Sequence, residues 1–211
     1  MPDTTLIDLL AAYGASGSFR PDYGQETSGQ TGGQIRVLNQ RAPLWRMSLT
    51  CPALDREDAT AIHAVIGGLG QSIGSFFAYD LRRAGPKADP TGATLGSSTV
   101  QIKSLGSDGK SLALKGLPVG YVLTRGDYVG FTYSSTKKAL HQMVAASITA
   151  NGSGETAEFE VHPAIRQGAA VNDAVALVRP VAEFRIVPGS YNPDADGAID
   201  MLSFDAMQVV T

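Results

Sequence analysis

The feature that most constrains the fold is a series of short, strand-like stretches that crowd together between residues 93 and 179. Glycine-containing turns such as 107–109 and 151–154 separate them, and no helical pattern intervenes. Because strands at such close spacing are typical of small barrels and sandwiches, we predict a compact β domain here. A glycine count of 24 among 211 residues agrees with many tight turns. The predicted strands are 98–105, 111–114, 127–133, 139–149 and 157–162.

Outside this region, one segment carries a clear helix pattern, which spans about 55–68. Asp55 is a good N-cap residue, and the acidic residues that follow it favour the positive end of the helix dipole. Ile62 and Ile66 belong to an apolar stripe of helical spacing, and Gly70 follows that stripe. The sequence therefore predicts one α-helix in a mainly β chain.

The remaining segments outside 93–179 have the patterns of strands and loops. Alternating residues predict a strand pair with a short connection at 35–39 and 44–50. The polar, glycine-rich segment 25–33 has the composition of a loop. Residues 6–10 fit either a short helical turn or an edge strand. Further strands are predicted at 75–81, 182–187 and 201–210.

Prolines mark both ends of the region of short strands. Pro86 and Pro90 precede it, and Pro180 follows it. We therefore predict that 93–179 is a separate β domain, inserted into a first domain that consists of 1–92 and 180–211. In that arrangement, the strand before the insertion and the strand after it lie side by side in one sheet.

Composition excludes several classes of function. The net charge of −3 argues against nucleic-acid binding, which needs a basic face. No apolar run approaches the roughly 18 residues of a membrane span. The sequence begins with Met1, Pro2 and Asp3 and has no basic segment like that of a secretory signal, so we expect synthesis in a reducing cytoplasm. The one cysteine, Cys51, forbids an intrachain disulfide and is expected to be a small buried group.

Two segments resemble motifs of catalysis and phosphate binding. The segment 70–74 matches G-x-S-x-G, with Ser72 as the serine, but a helix precedes it and a strand follows it. A nucleophile elbow requires the reverse order, so we predict a helix C-cap. The segment 106–111 ends like a phosphate-binding loop, but too few residues separate its glycines. We predict a hairpin turn there.

A third segment, 192–197, imitates a calcium loop because it places Asn, Asp, Asp and Gly at positions 1, 3, 5 and 6. Position 12 is Ser203 instead of the glutamate that the motif requires, although Asp200 could add an oxygen. We predict a polar turn, and calcium binding stays open as the alternative.

No constellation of side chains indicates catalysis. None of the histidines, His63, His141 and His162, has a partner at metal-ligand spacing, so each is expected to have a structural role. Glu158 and Glu160 alternate along one predicted strand and are expected to be solvated. We therefore predict no catalytic, cofactor or metal site. A cell-wall hydrolase would need an acid–base pair or a metal site.

The order of the segments is similar to that of a known family. A strand at 44–49 leads to the helix at 55–69, a strand follows at 74–79, and a small β insertion comes next. The insertion contains Gly116–Gly120, Arg125–Val129, Ala139–His141 and Glu160–Pro163. In this order the chain resembles the distal tail proteins of long-tailed (siphovirus-type) bacteriophages. The resemblance implies a ring-forming β-sandwich with one helix, an inserted OB-like barrel, and no active site.

The resemblance also implies a function. Such a protein is a structural part of the virion tail tip, made in the host cytoplasm, where it forms a homo-oligomeric ring, expected to be a hexamer. The ring joins the tail tube protein to the tail hub protein. The alternative is a carbohydrate- or receptor-binding module of the tail tip that uses 93–179.

Overall fold

The computed structural model describes residues 2–29, 32–33, 35–134, 136–196 and 199–210. Within these residues the chain forms sixteen strands and two helices, so the fold is mainly β as expected. The helices are α1 (Leu6–Ala12) and α2 (Arg56–Gly68). The strands are β1 (Ser16–Asp22), β2 (Gln25–Gly29), β3 (Ile35–Asn39), β4 (Leu44–Leu54), β5 (Phe76–Ala78), β6 (Gln101–Leu105), β7 (Ser111–Lys115), β8 (Val122–Thr124), β9 (Tyr128–Tyr133), β10 (Lys137–Met143), β11 (Ser147–Thr149), β12 (Phe159–His162), β13 (Val175–Ala176), β14 (Ala182–Ile186), β15 (Asn192–Asp196) and β16 (Ile199–Gln208).

The first sheet is antiparallel and has the strand order β1-β4-β16-β14-β5, with β15 also paired to β16. Strands β5 and β14 are neighbours, and Ala78 lies opposite Ala182. The expected adjacency of the strands on either side of 93–179 is therefore confirmed. The chain leaves this sheet after β5 and returns to it at β14, which lies beside β5.

The second sheet is barrel-like and nearly closed. Its strand order is β13-β9-β10-β12-β7-β6. Beside β6, the amide of Ile102 donates to the carbonyl of Asp173 at 3.1 Å, and the amide of Val175 donates to the carbonyl of Val100 at 2.9 Å. Because Val175 also begins β13, which pairs with β9, these bonds bring the two ends of the sheet together. The barrel-like character expected for this region is confirmed.

Each of the two large sheets has its own hydrophobic core. One core belongs to the barrel-like sheet and includes the fully buried side chains of Leu114 and Leu123. The other lies on the inner face of the first sheet, where Ile62 and Ile66 of α2 cover part of that face. Trp45 of β4 connects the two units, because its indole Nε1 donates to the Leu140 carbonyl of β10 at 2.7 Å. The structure does not confirm the expected sandwich with one helix.

Helix α2 has the start and the end that its sequence predicts. The Asp55 carboxylate accepts the amide of Asp58 at 2.9 Å, which satisfies one of the free donors at the helix N-terminus. At the other end, Gly70 takes a positive φ of 61°. The amides of Gly70 and Gln71 then return to carbonyls of the last turn, which closes the helix in a Schellman motif.

The prediction of a single helix is wrong, because α1 is a second one. Leu6, Ile7 and Leu10 lie on one side of this helix and are buried in the first core. The Asp3 carboxylate accepts the amide of Leu6 at 2.7 Å and so caps the first turn. A segment of seven residues is too short for its periodicity to distinguish a helix from a strand. Here burial of the apolar side chains in the first core stabilises the helix.

The predictions for 25–50 also need correction. The segment 25–33 was expected to be a loop, but its first five residues are the strand β2. Strand β3 pairs with β2 and not with β4, and β4 pairs with β1 and β16 instead. Strand β2 is polar and carries no hydrophobic signal, but the two-stranded ladder still pairs its backbone groups with those of β3.

Candidate functional site

The hairpin formed by β2 and β3, which we name the arm, is the most unusual surface of the protein. All ten of its strand residues are exposed. They include Ile35, Val37 and Leu38, which are 72%, 53% and 66% exposed. An isolated two-stranded hairpin is at best marginally stable in water, and exposed apolar strands tend to pair with other chains. These properties are typical of a surface that contacts a partner.

The arm continues a ribbon that begins in the first sheet. Strand β1 runs into β2 and β3 runs into β4, so both limbs of the hairpin extend strands of that sheet. Between the two halves, the amide of Gln40 donates to the carbonyl of Gly24 at 3.2 Å. The arm therefore projects from the edge of the first sheet, and it is anchored there by β1 and β4.

Side chains at the base hold the arm against both units. Arg41 donates to the Asp22 carboxylate at 2.8 Å, and both side chains are only partly exposed. The amide of Gly24 and the Arg41 guanidinium lower the pKa of Asp22. Tyr23 stacks on His162 of the barrel with ring centroids 5.4 Å apart, and its hydroxyl shares a hydrogen bond with Nε2 of that ring. The base is thus fixed although the strands beyond it are exposed.

The register of the arm separates its side chains into two faces. Residues directly opposite each other in a ladder share a face. Leu38 lies opposite Glu26, and Arg36 lies opposite Ser28, so these four form one face. Ile35 and Val37 lie on the other face, opposite Gly29 and Thr27. One face therefore combines an apolar side chain with a cation, and the other presents two β-branched side chains.

Three buried carboxylates organise the connection between the units. Asp80 accepts the Tyr128 hydroxyl at 3.0 Å, and burial and this carboxylate together raise the pKa of Tyr128. Asp127 accepts the amides of Lys87 and Thr124 at 2.9 and 2.7 Å. Asp89 accepts the amides of residues 94 and 95 and the hydroxyl of residue 121. Because each carboxylate is buried and hydrogen-bonded, these aspartates have a structural explanation.

The two motif-like segments have the local structures that the sequence predicts. Ser72 lies in the turn between α2 and β5, so a helix precedes it and a strand follows it. Between β6 and β7, the Asp108 carboxylate accepts the amide and the hydroxyl of Ser111 at 3.0 and 2.9 Å. The hydrogen bond from the amide of Lys110, together with those from Ser111, lowers the pKa of Asp108. The segment 106–111 is therefore the turn of a hairpin.

Each histidine contacts a partner in the protein, as expected for a structural role. His63 shares a hydrogen bond with the Tyr191 hydroxyl. His141 is buried, stacks on Phe131, and makes a 2.7 Å hydrogen bond to the Pro163 carbonyl through Nδ1. Burial lowers the pKa of His141 to about 4. His141 and His162 lie on the paired strands β10 and β12, whereas His63 lies on α2.

The remaining candidates also occupy separate places. Cys51 is buried in β4, and burial raises the pKa of its thiol. Glu158 accepts the Ser104 hydroxyl at 2.9 Å. Of the calcium-like segment, 192–196 forms β15 instead of the predicted turn, and the glycine at 197 lies outside the described residues. Within the part of the chain that the structure describes, no three His, Cys, Asp or Glu side chains are grouped to hold a metal ion.

All five aromatic side chains of 93–179 are buried in the structure. They are Tyr121, Tyr128, Phe131, Tyr133 and Phe159. Sugars usually need an exposed aromatic face for stacking, so these side chains do not supply a glycan platform.

Sequence comparisons do not assign this chain to a family, so the function proposed for it rests on the geometry of the structure. No family model matches the chain, and no curated protein is similar to it in sequence at a significant level. In addition, none of the helices in the described ranges is long and apolar enough to cross a membrane.

Sequence reasoning missed the arm, which is the feature that best indicates a function. The alternation of Ile35 and Val37 with Arg36 predicted a strand, but it did not identify the partner of that strand. The available signal was the pair of glycines at 32 and 33, which marks a hairpin connection between β2 and β3.

Proposed function

We propose that the protein is a structural component of the virion, a distal tail protein that forms a ring between the tail tube and the tail-tip hub. The arm is the single observation that carries this proposal. It is a fixed projection with an exposed apolar surface, which suits contact with another subunit better than it suits chemistry on a small molecule.

Ring formation follows from the way in which such an arm works. In this proposal, the arm of each subunit contacts a different surface on the next subunit and receives no contact from the same neighbour's arm in return, which is a head-to-tail contact. Repeated head-to-tail contacts close into a ring when the rotation from one subunit to the next is a whole-number fraction of a full turn. The number of six subunits comes from the resemblance to distal tail proteins.

In this proposal, residues 1–92 and 180–211 form the ring and carry the arm. Residues 93–179 form the inserted OB-like domain. The partners are other copies of the chain, the tail tube protein and the tail hub protein, and the place of action is the tail tip of the virion.

The test compares the oligomeric state of the purified chain with that of a variant in the arm. Val37→Asp places a charge on the exposed surface of the arm and should shift the chain from a ring to a monomer in sedimentation velocity. Val119→Asp is the matched control, because Val119 is equally apolar and 71% exposed on the other unit. It should leave the ring intact.

Two results would contradict the proposal. A wild-type chain that stays monomeric at all concentrations and is missing from purified tails is not a ring subunit. A chain that binds glycans on an array and is monomeric in the particle is instead the receptor-binding module that the sequence leaves as the alternative.

A further inference from the structure

The loop between β11 and β12 contains the pair Asn151-Gly152, and both residues are exposed. Because glycine has no side chain, its amide nitrogen approaches the side chain of the residue before it without steric hindrance. None of the other three asparagines, Asn39, Asn172 and Asn192, precedes a glycine. The loop is therefore the place in the sequence where an asparagine side chain is most open to attack by its own backbone.

The turn holds the side chain of Asn151 by its oxygen. Oδ1 accepts the amide of Ser153 at 2.9 Å and the amide of Glu155 at 3.0 Å. Among the described residues, no hydrogen bond engages the Nδ2 group or the amide of Gly152. Two N–H donors that face one carbonyl oxygen stabilise the negative charge that develops there when a nucleophile attacks its carbon. The turn thus activates Cγ of Asn151 and leaves the attacking and the departing nitrogen free.

We infer that Asn151 is a modification site, at which the folded chain deamidates spontaneously through a succinimide. The amide nitrogen of Gly152 forms a bond to Cγ of Asn151, and the bond between Cγ and Nδ2 breaks. The proton of the Gly152 amide leaves with the Nδ2 group as ammonia. Water then opens the five-membered succinimide at either of its carbonyls, which gives aspartate or isoaspartate.

The turn between β6 and β7 contains a matched pair, Asp108-Gly109, which we expect to stay unreacted. The Asp108 carboxylate also accepts backbone amides, those of Lys110 and Ser111, at 2.8 and 3.0 Å. The bond from the Lys110 amide, with those from Ser111, lowers the pKa of Asp108 and keeps the carboxylate ionised. A carboxylate ion is a poor electrophile because it is already negative, whereas the neutral amide of Asn151 is not protected in this way.

The two products should affect the barrel differently. Aspartate at position 151 keeps an oxygen that accepts the two amides of the turn. Isoaspartate instead places an additional methylene group in the backbone, where the carbonyl of Asn151 accepts the amide of Gly154 at 2.9 Å. The carbonyl of Gly154 in turn accepts the amide of Leu117 at 3.0 Å. Isoaspartate should therefore loosen the loop from the barrel, and this expectation does not depend on the proposed function.

Peptide mapping of the folded chain tests the site. The purified chain is incubated in a mildly alkaline buffer, and samples are digested with trypsin over time. Asn151 lies in the tryptic peptide 139–166, which contains no other asparagine. This peptide should gain the mass of an amide-to-acid change before the peptides of Asn39 and Asn172 do, and it should separate into aspartate and isoaspartate forms. The peptide of Asp108 should yield no isoaspartate form over the same time.

Gly152→Ala tests the attacking nitrogen. A Cβ added at Gly152 meets no atom within 4 Å, so the variant should fold. Its methyl group hinders the approach of the amide nitrogen to Cγ, and the conversion should slow by about tenfold, which is about 1.4 kcal/mol in activation free energy. Gly67→Ala is the matched control, because a Cβ there also meets no atom within 4 Å. It should leave the rate unchanged.

Three results would overturn the inference. One is an equal rate of conversion in Gly152→Ala and Gly67→Ala. Another is earlier conversion at Asn39 or Asn172. The third is a peptide 139–166 that converts when the chain is held in urea but stays unchanged in the folded chain, because the turn would then protect Asn151 instead of activating it.

Discussion

Acid should destabilise the protein through one buried histidine. His141 is fully buried in the barrel, and its Nδ1 atom faces the carbonyl of Pro163 at 2.7 Å. That nitrogen must carry the proton, because a carbonyl accepts hydrogen bonds. Nε2 has no hydrogen-bond partner in the described part of the protein. A second proton there would place a charge in the core, and burial together with the nearby Arg166 and His162 lowers the pKa to about 4.

The direction and size of the effect follow from this pKa. Above pH 6.5 the imidazole is neutral in both the folded and the unfolded chain, so its full contribution to stability is present. Below pH 6.5 the unfolded chain binds a proton that the folded chain does not bind until about pH 4. The free energy of unfolding should therefore fall between these pH values, by about 1.4 kcal/mol for each pH step and about 3 kcal/mol in total.

Urea denaturation at several pH values between 7.5 and 4.5 measures this loss. His141→Gln removes the titrating group, so its free energy of unfolding should fall less with acid than that of the wild type. His162, whose pKa burial also lowers, is present in both proteins, so the loss of stability that comes from its own burial is common to both. A variant that loses as much stability as the wild type would refute the reasoning. An NMR titration of the wild type that gives His141 a pKa near 6.5 would refute it as well.

Three further predictions concern single side chains. Asp55→Ala should lower the free energy of unfolding by about 1 kcal/mol in urea denaturation, because the capped Asp58 amide loses its acceptor; Asp55→Asn should restore most of it. Trp45→Phe should cost about 1–3 kcal/mol in the same assay, since the buried Leu140 carbonyl is left without its donor; an unchanged midpoint would contradict the bond. Cys51 should resist a thiol reagent in the folded chain and react fully in urea, and rapid labelling without urea would show that it is not buried.

The sequence predicts elements whose signals are local. Helix α2 combines the capping residue Asp55, an apolar stripe and Gly70 at its end, and each of these works within a few residues. The hairpin between β6 and β7 is equally local, since Asp108 forms its bonds within the turn. Such elements depend little on the rest of the chain.

Elements whose pairing depends on distant residues were harder to predict. The sequence predicts that β4 pairs with β3, its neighbour along the chain, but β4 pairs with β1 and with the distant β16. The segment 139–149 was expected to be one strand, but it divides into β10 and β11, which pair with different neighbours. Pairing over such distances is decided by burial, which a local pattern does not contain.

The candidate site escaped the sequence for a related reason. An exposed hairpin has no buried face, so β2 shows none of the alternation that identifies a half-buried strand. Its meaning appears only when the fold places Ile35, Val37 and Leu38 at the surface together. Likewise, only the fold shows that Tyr23 and His162, far apart in sequence, meet at the base of the arm.

Cryo-electron microscopy of tail tips from particles that encode this chain tests the central claim most directly. The proposed function predicts a closed ring of six copies at the end of the tail tube, with the arm of each copy in contact with the next one. A particle without this chain, or one that carries it as isolated monomers on a fibre, would contradict that claim.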